Sequence, residues 1–224
     1  MLRAIVFDFD GVLANSEPLH FRAFRDVLAE CGVALAERDY YDRYLGFDDV
    51  GSFRAIARDR GMEWDRPAIA SLIEKKAVRM EELERDVSVL FPGAADVVRR
   101  AADVVPVAIA SGALGHEIRR ILDRENLTRC FTAIIAAEDT PSSKPAPDPY
   151  LRAVSLLSSA RGTPVLARDC VAVEDSIQGL ESARRAGLRT VGVAQTYPAH
   201  LLDADVVIDS IDRLSLNALS SLTA

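Results

Sequence analysis

The chain has 224 residues, 49% hydrophobic and 27% charged, with a formal net charge of −7. Such a composition belongs to a globular protein and leaves room for one large core or two small ones. The acidic balance argues against a nucleic-acid or anionic-membrane partner, and no apolar run approaches the roughly 20 residues of a membrane span. Cys31, Cys130 and Cys170 are widely spaced, form no C-x-x-C, and read as reduced thiols. A strand that begins almost at Met1 leaves no room for a signal peptide, so a cytoplasmic protein is expected.

Ile5-Val6-Phe7 is an apolar, β-prone run that leads directly into Asp8-Phe9-Asp10-Gly11. In an extended chain alternate side chains share a face, so Asp8 and Asp10 point into one small volume. Two like charges that close call for a cation or a shared proton. Asn15-Ser16-Glu17-Pro18 then reads as a hinge and helix start, with Asn15 or Ser16 as the cap. Helical spacing of Phe21, Phe24, Leu28 and Cys31 predicts a helix from Leu19 to Cys31, stopped at Gly32. A second is expected over Val50–Arg60. A third opens at Pro67 and buries Ile69, Leu72, Ile73, Ala77, Met80 and Leu83. Nothing between residues 16 and 85 reads as a strand.

From residue 87 the pattern alternates. Pro92-Gly93 leads into a helix through Val97, Val98 and Ala101, and Val104–Ala110 is an apolar strand ending at Ser111-Gly112. His116–Glu125 is helical, Ala133–Ala137 is a short strand, and Tyr150–Leu157 is helical after the Lys144-Pro145-Ala146-Pro147-Asp148-Pro149 loop. Cys170–Val173 is a strand ending at Glu174-Asp175-Ser176; Ile177–Ala186 is a helix; Thr190–Val193 and Val206–Ile208 are the last strands. Strands apolar on both faces that alternate with helices indicate an α/β domain with a parallel sheet covered on both sides. The expected organisation is therefore a core of residues 1–14 and 89–224 with an all-helical insert, residues 15–88, hinged near 14–17 and 86–92.

Ligands of open parallel sheets sit at the carboxyl ends of the strands. Asp8, Asp10, Ser111, Gly112, Glu174 and Asp175 all fall at such ends, and Lys144 lies in the loop after the third strand. The chemistry that needs this set is phosphoryl transfer through a carboxylate nucleophile. A hard divalent ion and a lysine neutralise the phosphate, a hydroxyl with backbone N–H groups holds its oxygens, and a second carboxyl group moves the proton.

Four segments carry a family resemblance: Asp8-Phe9-Asp10-Gly11-Val12-Leu13, Ser111-Gly112, Ser143-Lys144-Pro145-Ala146-Pro147-Asp148 and Val173-Glu174-Asp175-Ser176. Together they resemble the motifs of the haloacid dehalogenase (HAD) superfamily. The helical insert and Asn15-Ser16-Glu17-Pro18-Leu19-His20 resemble the phosphoglycolate phosphatase and β-phosphoglucomutase-like subgroup with its α-helical cap. Asn15 stands where that subgroup more usually has an acid.

The resemblance implies a Rossmann-like core and an Mg²⁺-dependent phosphatase acting on a small phosphorylated metabolite, as a monomer with no nucleic-acid or membrane partner. It implies Asp8 as nucleophile and metal ligand, and Asp10 as general acid/base with its backbone carbonyl on the metal. Ser111 and Gly112 would bind the phosphoryl group, and Lys144 would pair with Asp8. Asp175 would ligate Mg²⁺, with Glu174 beside it, directly or through water. His20 and Lys76 would reach the substrate from the cap, whereas His116 and His200 read as surface residues, Arg54 as solvated and Trp64 as part of the cap core.

The alternatives are a sugar-phosphate mutase and a non-catalytic phospho-acceptor or binding protein. Mutases of the β-phosphoglucomutase type resemble one another in a base after the cap glycine and in polar or basic residues after the second-motif serine. Here those places read Gly46-Phe47-Asp48-Asp49 and Ser111-Gly112-Ala113-Leu114, which favours a phosphatase.

Overall fold

The structure is a computed structural model and describes residues 1–45, 47, 49–85 and 87–223. Gly46 and Asp48 of the cap loop, and Asp86 of the second expected hinge, lie outside the described residues. The chain divides into two compact units, residues 1–15 with 89–224, and residues 16–88.

The first unit is built on six parallel strands in the order β3-β2-β1-β4-β5-β6. They are β1 (Ala4–Phe7), β2 (Val107–Ala110), β3 (Phe131–Ile135), β4 (Cys170–Glu174), β5 (Arg189–Val193) and β6 (Val206–Ile208). All residues of β1, β2 and β4 are buried, as continuous apolar runs require in a sheet covered on both faces. The covering elements include α5 (Ala94–Ala102), α7 (Asp148–Arg161) and α8 (Ile177–Arg185), and the same unit carries α6 (Gly115–Arg124) and α9 (Leu216–Leu222). This is a Rossmann-like sheet, in which the strand order reverses between β1 and β4, the place where such folds bind ligands. Phe7 pairs with Val173 across that junction, and the Asp8 N–H donates to the Val173 carbonyl at 2.9 Å.

The two passages of chain between the units run side by side. The Asn15 N–H donates to Val89 O at 2.7 Å and the Phe91 N–H to Leu13 O at 2.9 Å.

The second unit is helical: α1 (Glu17–Glu30), α2 (Glu37–Arg43), α3 (Asp49–Arg60) and α4 (Arg66–Glu84). Its core is aromatic. Phe24 lies 4.9 Å from Phe53 and 5.8 Å from Tyr40, centroid to centroid, and Phe53 meets Trp64 edge-on. The surface ion pairs contribute less: Arg38–Asp42, with both side chains mostly in water, belongs to a class worth about 0–1 kcal/mol.

Several expectations shift. Helix α2 was absent from the sequence reading, because seven mostly polar residues bury only Tyr40 and show no stripe. Strand β2 starts at Val107 rather than Val104, since Val104 and Val105 still bond back to Ala101 at the end of α5. Strand β3 starts at Phe131 and ends before Ala137, which opens a 3-10 turn. Ser16 occupies the N-cap of α1 with helical backbone angles and makes no side-chain cap bond, and Asn15 precedes the cap. On α4 the buried stripe takes Lys76 in place of Ala77.

Trp64 is the chain's single tryptophan and touches Phe53, so its fluorescence follows the helical unit. Phe53→Ala should destabilise that unit by about 3–5 kcal/mol, the usual cost of deleting a buried phenyl ring. Urea titration read at Trp64 checks this, with the midpoint moving to lower urea.

Candidate active site

Three carboxylates meet where the strand order reverses. Asp8 follows β1, Glu174 ends β4 and Asp175 follows it; all three are buried, with one oxygen of each within 4.8 Å of the others. Lys144 reaches in from the loop before α7, its ammonium 2.9 Å from Asp8 Oδ1 and 2.6 Å from Glu174 Oε1. That loop is tethered from α8. The buried Ser182 hydroxyl donates to Ala146 O at 2.5 Å, and Arg185 donates to Pro145 O at 3.3 Å.

Each acid has its own support. Asp8 Oδ1 also accepts the Phe9 N–H at 2.7 Å. Glu174 Oε2 accepts from the Asp175 N–H, the Ser176 N–H and the Ser176 hydroxyl at 3.0, 3.2 and 3.1 Å, and Oε1 accepts from the Tyr150 hydroxyl at 2.9 Å. Ser176 caps α8, taking the Gly179 N–H at 3.0 Å. Asp175 takes a hydrogen bond from Thr196. Gly11 adopts φ +76°, and a Cβ there would overlap the Asp175 carboxylate, so this turn requires glycine twice over. Gln195 clamps the same turn, its amide donating to Gly11 O at 2.9 Å and Val12 O at 3.2 Å.

The electrostatics follow from crowding. Burial, then the Glu174 charge, hold the Asp8 carboxyl well above its ordinary pKa, against the pull of Lys144. The same two causes push Asp175 up to about 7. Lys144 is held above its ordinary value by Asp8 and Glu174 despite its own burial. Three ionised carboxylates against one ammonium leave two uncompensated negative charges in a buried space, a state that a cation relieves. The donors are all carboxylate oxygens, a set that suits a hard divalent ion such as Mg²⁺. The residues therefore fit the metal.

The other expected residues are placed as follows. Asp10 is half-buried, two residues past Asp8 in a bridge with Ala14, and the three-acid cluster does not include its carboxylate. Ser111 is buried at the end of β2, its N–H bonded to Ile135 O and its hydroxyl accepting the Ala113 N–H at 3.1 Å. Gly112 beside it is exposed.

In the helical unit, Lys76 is almost wholly buried, donates to His20 Nδ1 at 2.9 Å and Asp49 Oδ1 at 2.5 Å, and lies 4.6 Å from the centroid of the Phe24 ring. Nearby, Tyr40 donates to Glu17, whose carboxyl is raised mainly by burial. His116, His200 and Arg54 are exposed, and Trp64 packs against the cap core.

Sequence reasoning missed Tyr150, Ser182, Gln195 and Thr196. A hydroxyl two residues after Asp148 and one three residues after β5 carry no local signal of a partner; only the fold brings them in.

Gly179 lies so close to Glu174 that an added Cβ would overlap its carboxylate. A free side chain could swing aside, but this one is held by five donors. Gly179→Ala should thus cost about 1–3 kcal/mol through forced displacement. Gly112→Ala, which meets nothing within 4 Å, should cost far less. Paired thermal melts check the difference.

The family model described as haloacid dehalogenase-like hydrolase matches residues 5–193. Hexitol phosphatase B of Escherichia coli (strain K12) is 32% identical over 218 residues, covering 95% of this chain and 94% of that protein. Beta-phosphoglucomutase of Bacillus subtilis (strain 168) is 26% identical over 223 residues, covering 97% and 94%. The crystal structure of a CbbY variant from Rhodobacter sphaeroides in complex with xylulose-(1,5)bisphosphate matches with a TM-score of 0.80 at 28% identity, covering 98% of this chain and 99% of that one. The chain is an enzyme of the haloacid dehalogenase-like hydrolase family, in its phosphatase and β-phosphoglucomutase-like subgroup.

Proposed function

We propose that the chain is an Mg²⁺-dependent phosphatase that hydrolyses the monophosphate of a small sugar or sugar alcohol through an aspartyl-phosphate. The observation that carries this is the meeting of Asp8, Glu174, Asp175 and Lys144 at the β1–β4 junction. The substrate class follows the relatives, one named for hexitol phosphates and another solved with a ketose bisphosphate.

In the first step the Asp8 carboxylate attacks phosphorus, the ester P–O bond breaks, and the Asp10 carboxyl group protonates the departing alkoxide. In the second, water attacks the aspartyl-phosphate and gives its proton to Asp10, and the P–O bond to Asp8 breaks, releasing phosphate. The Phe9 N–H and Lys144, both on Asp8 Oδ1, support this by fixing the nucleophile's orientation before substrate arrives. Lys144 also offsets phosphoryl charge, and Ser111 with the backbone at Gly112 is assigned to the phosphoryl oxygens. Mg²⁺, when bound by Asp8, Glu174, Asp175 and the Asp10 carbonyl, supplies further charge neutralisation. Recognition of the leaving group is assigned to the cap through His20 and Lys76.

Mutase chemistry is the second reading, favoured by the β-phosphoglucomutase relative. A mutase must hold a second phosphate, and two placements oppose that. Lys76, the buried cation of the cap, is already paired with Asp49. At the N-terminus of α6 the Leu114 N–H donates to Glu117 and the Gly115 N–H to Glu138, at 3.4 and 3.0 Å. Carboxylates thus occupy donors that an anion would need.

Phosphate release from p-nitrophenyl phosphate and a panel of sugar and hexitol phosphates tests the proposal. Activity should require Mg²⁺ and vanish in excess EDTA. Asp8→Asn should lower turnover roughly a thousandfold or more while the melting temperature holds. Turnover by Asp8→Asn near the wild-type rate would remove the nucleophile assignment. For the second reading, enzyme and Mg²⁺ are given β-glucose 1-phosphate with a trace of its 1,6-bisphosphate. Free phosphate should outpace glucose 6-phosphate, and the reverse order makes the enzyme a mutase.

A further inference from the structure

Glu174 is the most densely bonded side chain of the acid cluster, and it is completely buried. A carboxylate offers about four lone-pair sites, and this one accepts from five donors. The three donors on Oε2 belong to Asp175 and Ser176, which lead into α8. The two on Oε1 are Lys144 and Tyr150, so the position of this oxygen sets where the lysine stands. The same ammonium is the partner of Asp8. Whatever fixes Glu174 Oε1 therefore also fixes Lys144 against Asp8.

Tyr150 is suited to that task. It lies in the first turn of α7, is fully buried, and packs among Ala4, Val6, Ala153 and Ala172 of the sheet core. The Lys144 ammonium stands 5.4 Å from its ring centroid, a cation–π distance. The ring is thus anchored in rigid structure, and the hydroxyl is delivered at a set height beneath the acid cluster. Phenylalanine would fill the same space, so packing alone does not call for the oxygen.

We propose that Tyr150 is a positioning residue of the active site: through Glu174 Oε1 it sets the Lys144 ammonium against Asp8 and holds the carboxylate cluster open to a divalent cation. The role in turnover rests on the phosphatase reading, whereas the effect on cation binding is measurable without it.

Calorimetric titration of Mg²⁺ into substrate-free wild type and Tyr150→Phe reads the second. Loss of one hydrogen bond to a buried charge predicts binding weaker by roughly tenfold in the variant. In turnover, kcat should fall by a similar factor with KM for the phosphate ester little changed. Glu174→Gln completes a double-mutant cycle. If Tyr150 acts through Glu174, adding Tyr150→Phe to Glu174→Gln should cost much less than it costs wild type. A residue that only packs would leave Mg²⁺ affinity and kcat as they are and alter the melt alone. Equal Mg²⁺ affinity in the two proteins, no Mg²⁺ binding by either, or additive effects in the cycle overturns the proposal. Weaker Mg²⁺ binding by the variant, in an enzyme that releases no phosphate from any ester, keeps the positioning role and removes the phosphatase reading instead.

Discussion

Burial of three carboxylates beside one ammonium is the constraint to which the first unit is built. Like charges held this close stay ionised only if each has fixed hydrogen-bond donors and the group has a cation. The structure supplies the donors from backbone geometry. The Phe9 N–H serves Asp8, and the N–H groups of Asp175 and Ser176 serve Glu174. The reversal of strand order makes this possible, because β1 and β4 pair directly and end side by side there. Close approach then restricts the residues around them, and Gly11 and Gly179 stand where any side chain would strike an acid.

The helical unit handles charge differently. Lys76 sits on the buried stripe of α4 between Leu72 and Met80, with a carboxylate, an imidazole and a phenyl ring about it. A lysine so enclosed is worth having only if it is paired, since an unpaired buried ammonium costs several kcal/mol, ~3–5 when one partner of a buried pair is lost. Asp49 satisfies it from the first turn of α3, where a carboxylate also suits the helix dipole. The pairing is local to this unit: carboxylate, imidazole and ring all come from its own helices.

What could be read in the sequence was whatever repeats locally or interrupts a pattern. The strand-end acids were legible because several apolar runs in succession end in polar groups, where any one alone reads as well as a solvated turn, and Lys144 because it stands in the loop after the third of those strands. Lys76 was half legible: it falls on the spacing 69, 72, 76, 80, 83 of the buried stripe, yet a lysine there reads as solvated until its partners are known. Helix α2 and Tyr150 were not legible. The first buries one residue and so has no period, and the second is a core tyrosine like any other until α7 is laid against the sheet.

The same separation explains why fold and family leave hydrolysis and mutase chemistry so close. In the proposed chemistry both use the strand-end acids and the lysine, and the match to hexitol phosphatase B and to beta-phosphoglucomutase spans nearly the whole chain in each case. What differs between the two reactions is a place for a second dianion, and that is a matter of a few charges. At the start of α6 the open N–H groups, ordinarily an anion site, already serve Glu117 and Glu138. Displacing those carboxylates to admit a phosphate exchanges one anion for another and leaves a carboxylate beside it. The local field there is spent on the protein's own acids, and this is the physical ground on which a substrate carrying a single phosphate is proposed.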